Sequence, residues 1–107
     1  MTQVQALPKL VRDRIPEIIR CRGAIPTITI LAREDLYPRL LEKLHEELAE
    51  FEASPCAEEL ADIYEVLRMI NSILNISSEE LERVRERKYQ ERGGFEGGIL
   101  LERIEEP

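Results

Sequence analysis

The sequence predicts an all-α fold: an antiparallel helical bundle that carries a small two-stranded β ribbon from its N- and C-terminal segments and is completed by oligomerisation. The first observation is hydrophobic periodicity, because apolar residues recur at steps of three and four over 35–53 and 57–74. The second is the shortness of the connections, which makes neighbouring helices antiparallel. The third is the length of 107 residues, which leaves room for one domain, 1–107, with one core.

The region before the bundle contains a predicted short helix and a predicted strand. The apolar residues of 7–23 favour a helix, with Pro16 at a first helical position and Gly23 as its C-terminal cap. The β-branched alternation of 27–31 predicts a strand, and 99–104 is the other strand-like run. The two must pair with each other. Because an isolated two-stranded ribbon is marginally stable, we expect it to lie against the helices.

Three bundle helices follow, over 35–53, 57–74 and 77–91. The third opens with Ser77, and Glu80 three residues later completes a capping box. The second carries an apolar stripe that is too wide for one partner helix to cover, so we expect a second subunit to cover the rest. The residues of this stripe are Leu60, Ile63, Val66, Leu67, Ile70, Ile73 and Leu74.

Charge and composition exclude several classes of function. The net charge of -7 argues against binding to nucleic acid or to an anionic membrane surface, because those partners require a basic surface. No apolar run approaches the ~20 residues that span a bilayer, and the N-terminus lacks the apolar core of a signal peptide. Cys21 and Cys56 are interpreted as free thiols in a reducing compartment. We therefore expect a cytoplasmic protein.

Acidic residues of the first two bundle helices form the main candidate site. Glu47 and Glu50 share one face of the first helix, and Glu59 and Asp62 share one face of the second, because each pair is three residues apart. Glu59 and Asp62 lie on or beside the apolar stripe. A carboxylate there costs several kcal/mol unless it is paired or bound to a metal. Glu46 points most directly to solvent.

Both acidic pairs flank one helical hairpin, so four carboxylates converge at one end of the bundle. Carboxylate oxygens without His or Cys suit a hard cation, magnesium or manganese, which retains waters and bridges substrate phosphates. The alternative is a solvated acidic patch, because acidic residues near helix starts also interact favourably with the helix dipole. The position of two acids on the apolar stripe favours the metal site.

The third bundle helix supplies positive charge. Lys88 and Arg92 continue the stripe of Leu81 and Val84, so they face the bundle. At ~1.5 Å of rise per residue, they lie at the level of the carboxylates, where they would bind phosphate groups. The alternative is that these long side chains cover the edge of the core or pair with the acids.

This combination resembles the MazG-like, all-α nucleoside triphosphate pyrophosphohydrolases, which are relatives of phosphoribosyl-ATP pyrophosphohydrolase. The two acidic motifs of that superfamily, EExxE and ExxD, are matched in order on successive helices. The matching residues are Glu46, Glu47, Glu50, Glu59 and Asp62. The flanking sequences KLVRDRIP at 9–16 and KYQERGGF at 88–95 resemble the two ends of small members of the group, so the resemblance covers nearly the whole chain.

The resemblance implies magnesium-dependent cleavage of a nucleoside triphosphate between its α and β phosphates, which gives a monophosphate and pyrophosphate. It assigns Glu47, Glu50, Glu59 and Asp62 to the metal. It assigns Glu46 or Glu50 to orienting or deprotonating the attacking water, and Arg12, Lys88 and Arg92 to the phosphates. It also implies a homodimer or homotetramer.

Two other functions stay open at this point. One is an activity like that of phosphoribosyl-ATP pyrophosphohydrolase. The other is a non-catalytic dimer that binds a metal or a nucleotide and uses its acids structurally. The segment between the two acidic motifs is short, so the loop that contributes to base selection in larger relatives is missing, and the preferred base or sugar is left open.

Overall fold

In the computed structural model, residues 7–107 are described, and this part of the chain contains four helices. These are α1 (Ile15–Cys21), α2 (Arg33–Ala53), α3 (Ala57–Ile73) and α4 (Ser78–Arg92). The all-helical prediction is therefore confirmed for the described residues, and the bounds of the three long helices differ from the predicted ones by no more than two residues.

The predicted β ribbon is wrong. No strand occurs between residues 7 and 107. Residues 27–31 have mostly exposed side chains, with Ile30 86% exposed, and within 99–104 Ile99 is 91% exposed. An alternating pattern shows only that a segment is compatible with a strand, whereas a strand itself requires backbone hydrogen bonds to a neighbour. Among the described residues neither segment has such a partner.

Signals at the helix ends explain why α1 and α4 were predictable. Pro16 lies in the first turn of α1, where a missing amide hydrogen costs nothing, and Gly23 follows the helix with a φ of 89° that suits glycine. The Ser77 hydroxyl accepts a hydrogen bond of 3.0 Å from the Glu80 amide, which caps α4 as predicted. These are local interactions between residues close in sequence.

The described chain falls into two compact units, one that ends at Asn75 and one over Ile76–Pro107. In the first unit, α2 and α3 pack against each other as an antiparallel pair, because only residues 54–56 separate them. The Arg33 guanidinium, at the start of α2, donates a hydrogen bond of 2.8 Å to the carbonyl oxygen of Ser72 and so ties the open end of the pair. The second unit contains α4.

Few apolar side chains of the first unit are buried. The buried ones in the described residues are Leu40, Ile63 and Val66. Several large apolar side chains of the α2 and α3 pair stay exposed, and they include Leu41, Leu48, Leu60, Tyr64 and Leu67. The apolar stripe of α3 is thus wider than α2 covers. No helix in the described part of the chain has the length and apolar character needed to cross a membrane.

We predict that the protein is a dimer or larger at micromolar concentration, because exposed apolar stripes of this width are normally covered by another surface. Light scattering of the wild type tests this directly. Leu67→Glu places a charge on the 41% exposed stripe residue and is expected to lower the mass to that of a monomer. Arg68→Glu changes the neighbouring exposed side chain and is expected to leave the mass unchanged. A monomeric wild type would contradict the prediction.

Candidate metal centre

Three glutamates from the two packed helices meet near the α2–α3 turn. Glu47 and Glu50 come from α2, and Glu59 comes from the first turn of α3. Each offers one carboxylate oxygen, and these three oxygens all lie within 4.8 Å of one another. We call Glu47, Glu50 and Glu59 the glutamate cluster. The three-residue spacing aligns the two α2 acids, and the tight turn brings Glu59 across from them.

The burial of the glutamate cluster distinguishes it from an ordinary acidic surface. Glu47 is only 5% exposed. One oxygen of Glu47, Oε2, and the Oε2 of Glu59 are buried and have no hydrogen-bond partner within the described structure. A buried carboxylate oxygen without a donor carries a large desolvation cost, which a bound cation would remove. Glu50 is exposed, so the cluster has one side open to solvent.

The charges around Glu47 act in opposite directions. Burial raises the pKa of Glu47, and the nearby carboxylates of Glu50 and Asp62 raise it further, while the hydrogen bond and charge of Lys43 oppose them. The Lys43 ammonium lies 3.2 Å from Glu47 Oε1. Burial lowers the pKa of Lys43, but Glu47 and Glu46 outweigh this effect, and the net change is upward. Lys43 therefore stays charged and neutralises the cluster only in part.

The fourth predicted ligand, Asp62, is held by another partner. Its Oδ1 lies 2.6 Å from Nη2 of Arg12, and its carboxylate is not among the three that meet in the glutamate cluster. Glu46 likewise is held by cations, since its Oε1 lies 3.3 Å from Lys9 Nζ and 3.4 Å from Lys43 Nζ. Residues 9–14 thus contact both acidic motifs.

A cavity of about 450 Å³ adjoins the glutamate cluster. It is lined by residues 10–14, by α2 and by α3 and is open to solvent on one side, and Glu47 belongs to both the cavity and the cluster. Leu36, Leu40 and Met69 give it apolar walls, and Lys43 lines it with a charged side chain. This volume falls within the range of ~300 to 1,000 Å³ that is typical of small-molecule sites.

The remaining candidates are placed as follows. Arg12 lines the cavity, as a residue near the phosphates would, although it contacts Asp62. Lys88 and Arg92 belong to the second unit, so their predicted place opposite the carboxylates stays a prediction. The sequence reasoning missed Lys43. Its position four residues before Glu47 on the same helix is the signal that would have identified it.

Comparisons with known proteins name no activity. No family model and no solved structure matches the chain. Over 48 residues the chain is 46% identical to a protein of Mycolicibacterium smegmatis that is described only as uncharacterized. The aligned residues make up 45% of this chain and 49% of that protein, so the chain spans about half the length of this relative.

We predict that Glu59→Gln weakens magnesium binding by about tenfold or more, because the substitution removes a charged oxygen ligand while it keeps the shape of the side chain. Calorimetric titration with magnesium measures the change. Glu58→Gln is the matched control, since Glu58 is the adjacent, exposed acid of α3 and lies outside the glutamate cluster. Equal affinities in the two variants would show that the cluster does not hold the metal.

Glu47→Gln is expected to raise the thermal stability of the protein at neutral pH when a chelator has removed metal ions. Burial raises the pKa of Glu47 above that of the unfolded chain, so ionisation of this group destabilises the folded state at neutral pH. The loss of the Lys43 contact offsets part of the gain. Each kcal/mol gained raises Tm by roughly 4 to 8 °C in a domain of about this size.

The size of this gain depends on pH. The gain is expected to be present above the raised pKa of Glu47 and to vanish below about pH 4, where the carboxyl is protonated in both the folded and unfolded states. Thermal melts at both pH values measure it. Glu52→Gln, on an exposed side chain, is the control and is expected to change Tm little at either pH. A lower Tm for Glu47→Gln at neutral pH would contradict the prediction.

Proposed function

We propose that this protein is a metal-dependent nucleoside triphosphate pyrophosphohydrolase, which hydrolyses a nucleoside or deoxynucleoside triphosphate to the monophosphate and pyrophosphate. The observation that carries the proposal is the glutamate cluster, which lies beside a cavity of about 450 Å³. Two of its buried oxygens, one on Glu47 and one on Glu59, lack a hydrogen-bond partner among the described residues. The match of both acidic motifs to the MazG-like group supports the same activity.

The metal in this proposal is magnesium, with manganese as a possible substitute. Its ligands are Glu47, Glu50 and Glu59, joined by Asp62. The donor set consists only of carboxylate oxygens, which is the type of ligand that these hard cations prefer. When bound, the metal neutralises phosphate charge and lowers the pKa of a coordinated water toward neutrality.

The water would be positioned by carboxylates of α2. Glu46 accepts hydrogen bonds from Lys9 and Lys43, which fix its orientation at the edge of the cluster. Glu50 is exposed and forms no salt bridge with the described residues, so one of its oxygens is available to accept a proton. We therefore assign the proton transfer to Glu50 and the orienting role to Glu46.

The substrate would lie between the glutamate cluster and the cavity. A triphosphate carries its negative charge at one end, so the phosphates belong at the cluster and the nucleoside belongs in the cavity, whose apolar wall includes Leu36, Leu40 and Met69. Arg12 lines the same cavity and is one source of charge for the phosphates. In this proposal, Lys88 and Arg92 of α4 supply further positive charge for the phosphates.

A panel of nucleoside triphosphates and deoxynucleoside triphosphates, incubated with magnesium and assayed for pyrophosphate, tests the activity. We expect release of equal amounts of pyrophosphate and monophosphate. Glu59→Gln and Asp62→Asn are each expected to abolish turnover without loss of fold. Glu58→Gln is expected to keep wild-type turnover. Release of orthophosphate instead of pyrophosphate would place the cleavage at another bond and overturn the proposal.

The role of α4 is tested by Lys88→Met and Arg92→Met, which keep most of the apolar stem and remove the charge. If these residues bind phosphate, each variant is expected to lose kcat/KM by about 10- to 1,000-fold, on the order of 1.4 to 4 kcal/mol. Their magnesium affinity should not fall, because removal of a cation leaves the carboxylates better ligands. Arg83→Met, on the same helix, is the control. Normal activity in both variants would remove α4 from the site.

A further inference from the structure

The position of Asp62 carries an inference that rests on the proposed metal site and goes beyond it. Asp62 is three residues after Glu59, so both acids emerge from one face of α3. The Glu59 carboxylate nevertheless joins the glutamate cluster, whereas the Asp62 carboxylate is bonded to Arg12. Arg12 therefore keeps the Asp62 carboxylate out of the glutamate cluster, although α3 places Asp62 beside it.

We propose that Arg12 and a divalent cation compete for Asp62. In this proposal Arg12 is an exchangeable latch: Asp62 would leave Arg12 to join Glu47, Glu50 and Glu59 in holding a cation, and the guanidinium would be released into the adjoining cavity. Residues 9–14, which form one wall of that cavity, loosen from α3 at the same time.

The strength of the Arg12–Asp62 contact suits such an exchange. It is short, at 2.6 Å, but the side chains are 56% and 36% exposed, and ion pairs in that setting are weak because water screens them. A divalent cation offers Asp62 twice the charge at close range. It also repels the guanidinium, so the two cations cannot both be neighbours of Asp62 without a cost. A cation bound in the cluster would therefore displace Arg12 from Asp62.

The N-terminal segment has a second attachment that limits how far it moves. Lys9 Nζ lies 3.3 Å from Glu46 Oε1, and the Arg12 carbonyl oxygen accepts a hydrogen bond of 3.1 Å from the Ile15 amide at the start of α1. Lys9 and α1 thus hold the two ends of the segment while the Arg12 side chain changes partner. The freed guanidinium remains at the cavity wall, where its planar array of donors matches a phosphate group.

Exchange at Asp62 also predicts an order of binding. While Arg12 is bonded to Asp62, its donors are partly occupied and its charge is neutralised. Loading of the metal frees that charge for the phosphates of a nucleotide. We therefore expect the metal to bind before the triphosphate. It would raise the affinity for the triphosphate in two ways: by its own positive charge, and by freeing Arg12 to contact the phosphates.

Magnesium titration of the full-length chain tests the latch by affinity. Arg12→Met removes the competitor and is expected to tighten magnesium binding by about two- to fivefold, the range that corresponds to a weak ion pair. Arg12→Lys keeps the charge but loses the paired donors of the guanidinium. Its magnesium affinity is expected to lie between those of Arg12→Met and the wild type. Lys9→Met removes an equal charge from Glu46, outside the glutamate cluster, and is expected to change the affinity less than Arg12→Met does.

Amide chemical shifts of 9–14, measured by NMR, give a readout that does not depend on turnover. In the wild type, magnesium is expected to move these shifts toward random-coil values. Arg12→Met is expected to show values close to random coil with or without magnesium, and Glu59→Gln is expected to respond less than the wild type at the same magnesium concentration. The latch is overturned if Arg12→Met weakens magnesium binding, which would mean that Arg12 orients Asp62 as a ligand. It is also overturned if Arg12→Met and Lys9→Met tighten binding equally, which would indicate only a general effect of charge.

The failure of this inference is distinguishable from failure of the proposed function. A wild type that binds magnesium and releases pyrophosphate, with an Arg12→Met variant of unchanged affinity, would overturn the latch and leave the activity standing. A second outcome is that the wild type binds magnesium, Arg12→Met tightens this binding as expected, and no pyrophosphate is released. This outcome would support the latch and remove the enzymatic assignment. A wild type that binds no magnesium would overturn both.

Discussion

The constraint on which the site depends is the burial of the Glu47 carboxylate between two packed helices. An ionised group in that position is stable only if other charges or donors compensate for the water it has lost. Lys43, one turn away on α2, supplies one contact, and Oε2 has no described partner. Sequence selection for stability alone would replace such a group with an apolar one. A buried, incompletely satisfied acid therefore supports the proposal that a cation binds at this site.

The sequence was sufficient to predict the helices, because their signals are local. Periodic apolar residues, the Ser77 cap and the Pro16 start each act within about one or two turns of helix. The ribbon was a different kind of prediction. It required 27–31 and 99–104 to find each other across most of the chain, and alternation within each segment contains no information about a partner. The error therefore lies in the pairing that the sequence does not encode locally.

The site was predictable to a similar depth. Spacing along α2 and α3, together with the short turn, was enough to expect Glu47, Glu50 and Glu59 near one another. The contact between Arg12 and Asp62 was not predictable, because these residues are 50 positions apart and the path of the N-terminal segment depends on tertiary packing. Periodicity assigns a residue to a face of its own helix, but it does not say which distant side chain arrives there.

The balance of charge around the glutamate cluster supports the proposed order, in which a cation binds before a triphosphate. Five acids lie in the two motifs, Glu46, Glu47, Glu50, Glu59 and Asp62, and the cations that form ion pairs with them among the described residues are Lys9, Arg12 and Lys43. Three positive charges against five negative ones leave an excess of two negative charges. A triphosphate would meet repulsion there, whereas one divalent cation restores neutrality. In the proposed exchange that charge would free Arg12 for the substrate, while Lys9 and Lys43 would keep their contacts with Glu46 and Glu47.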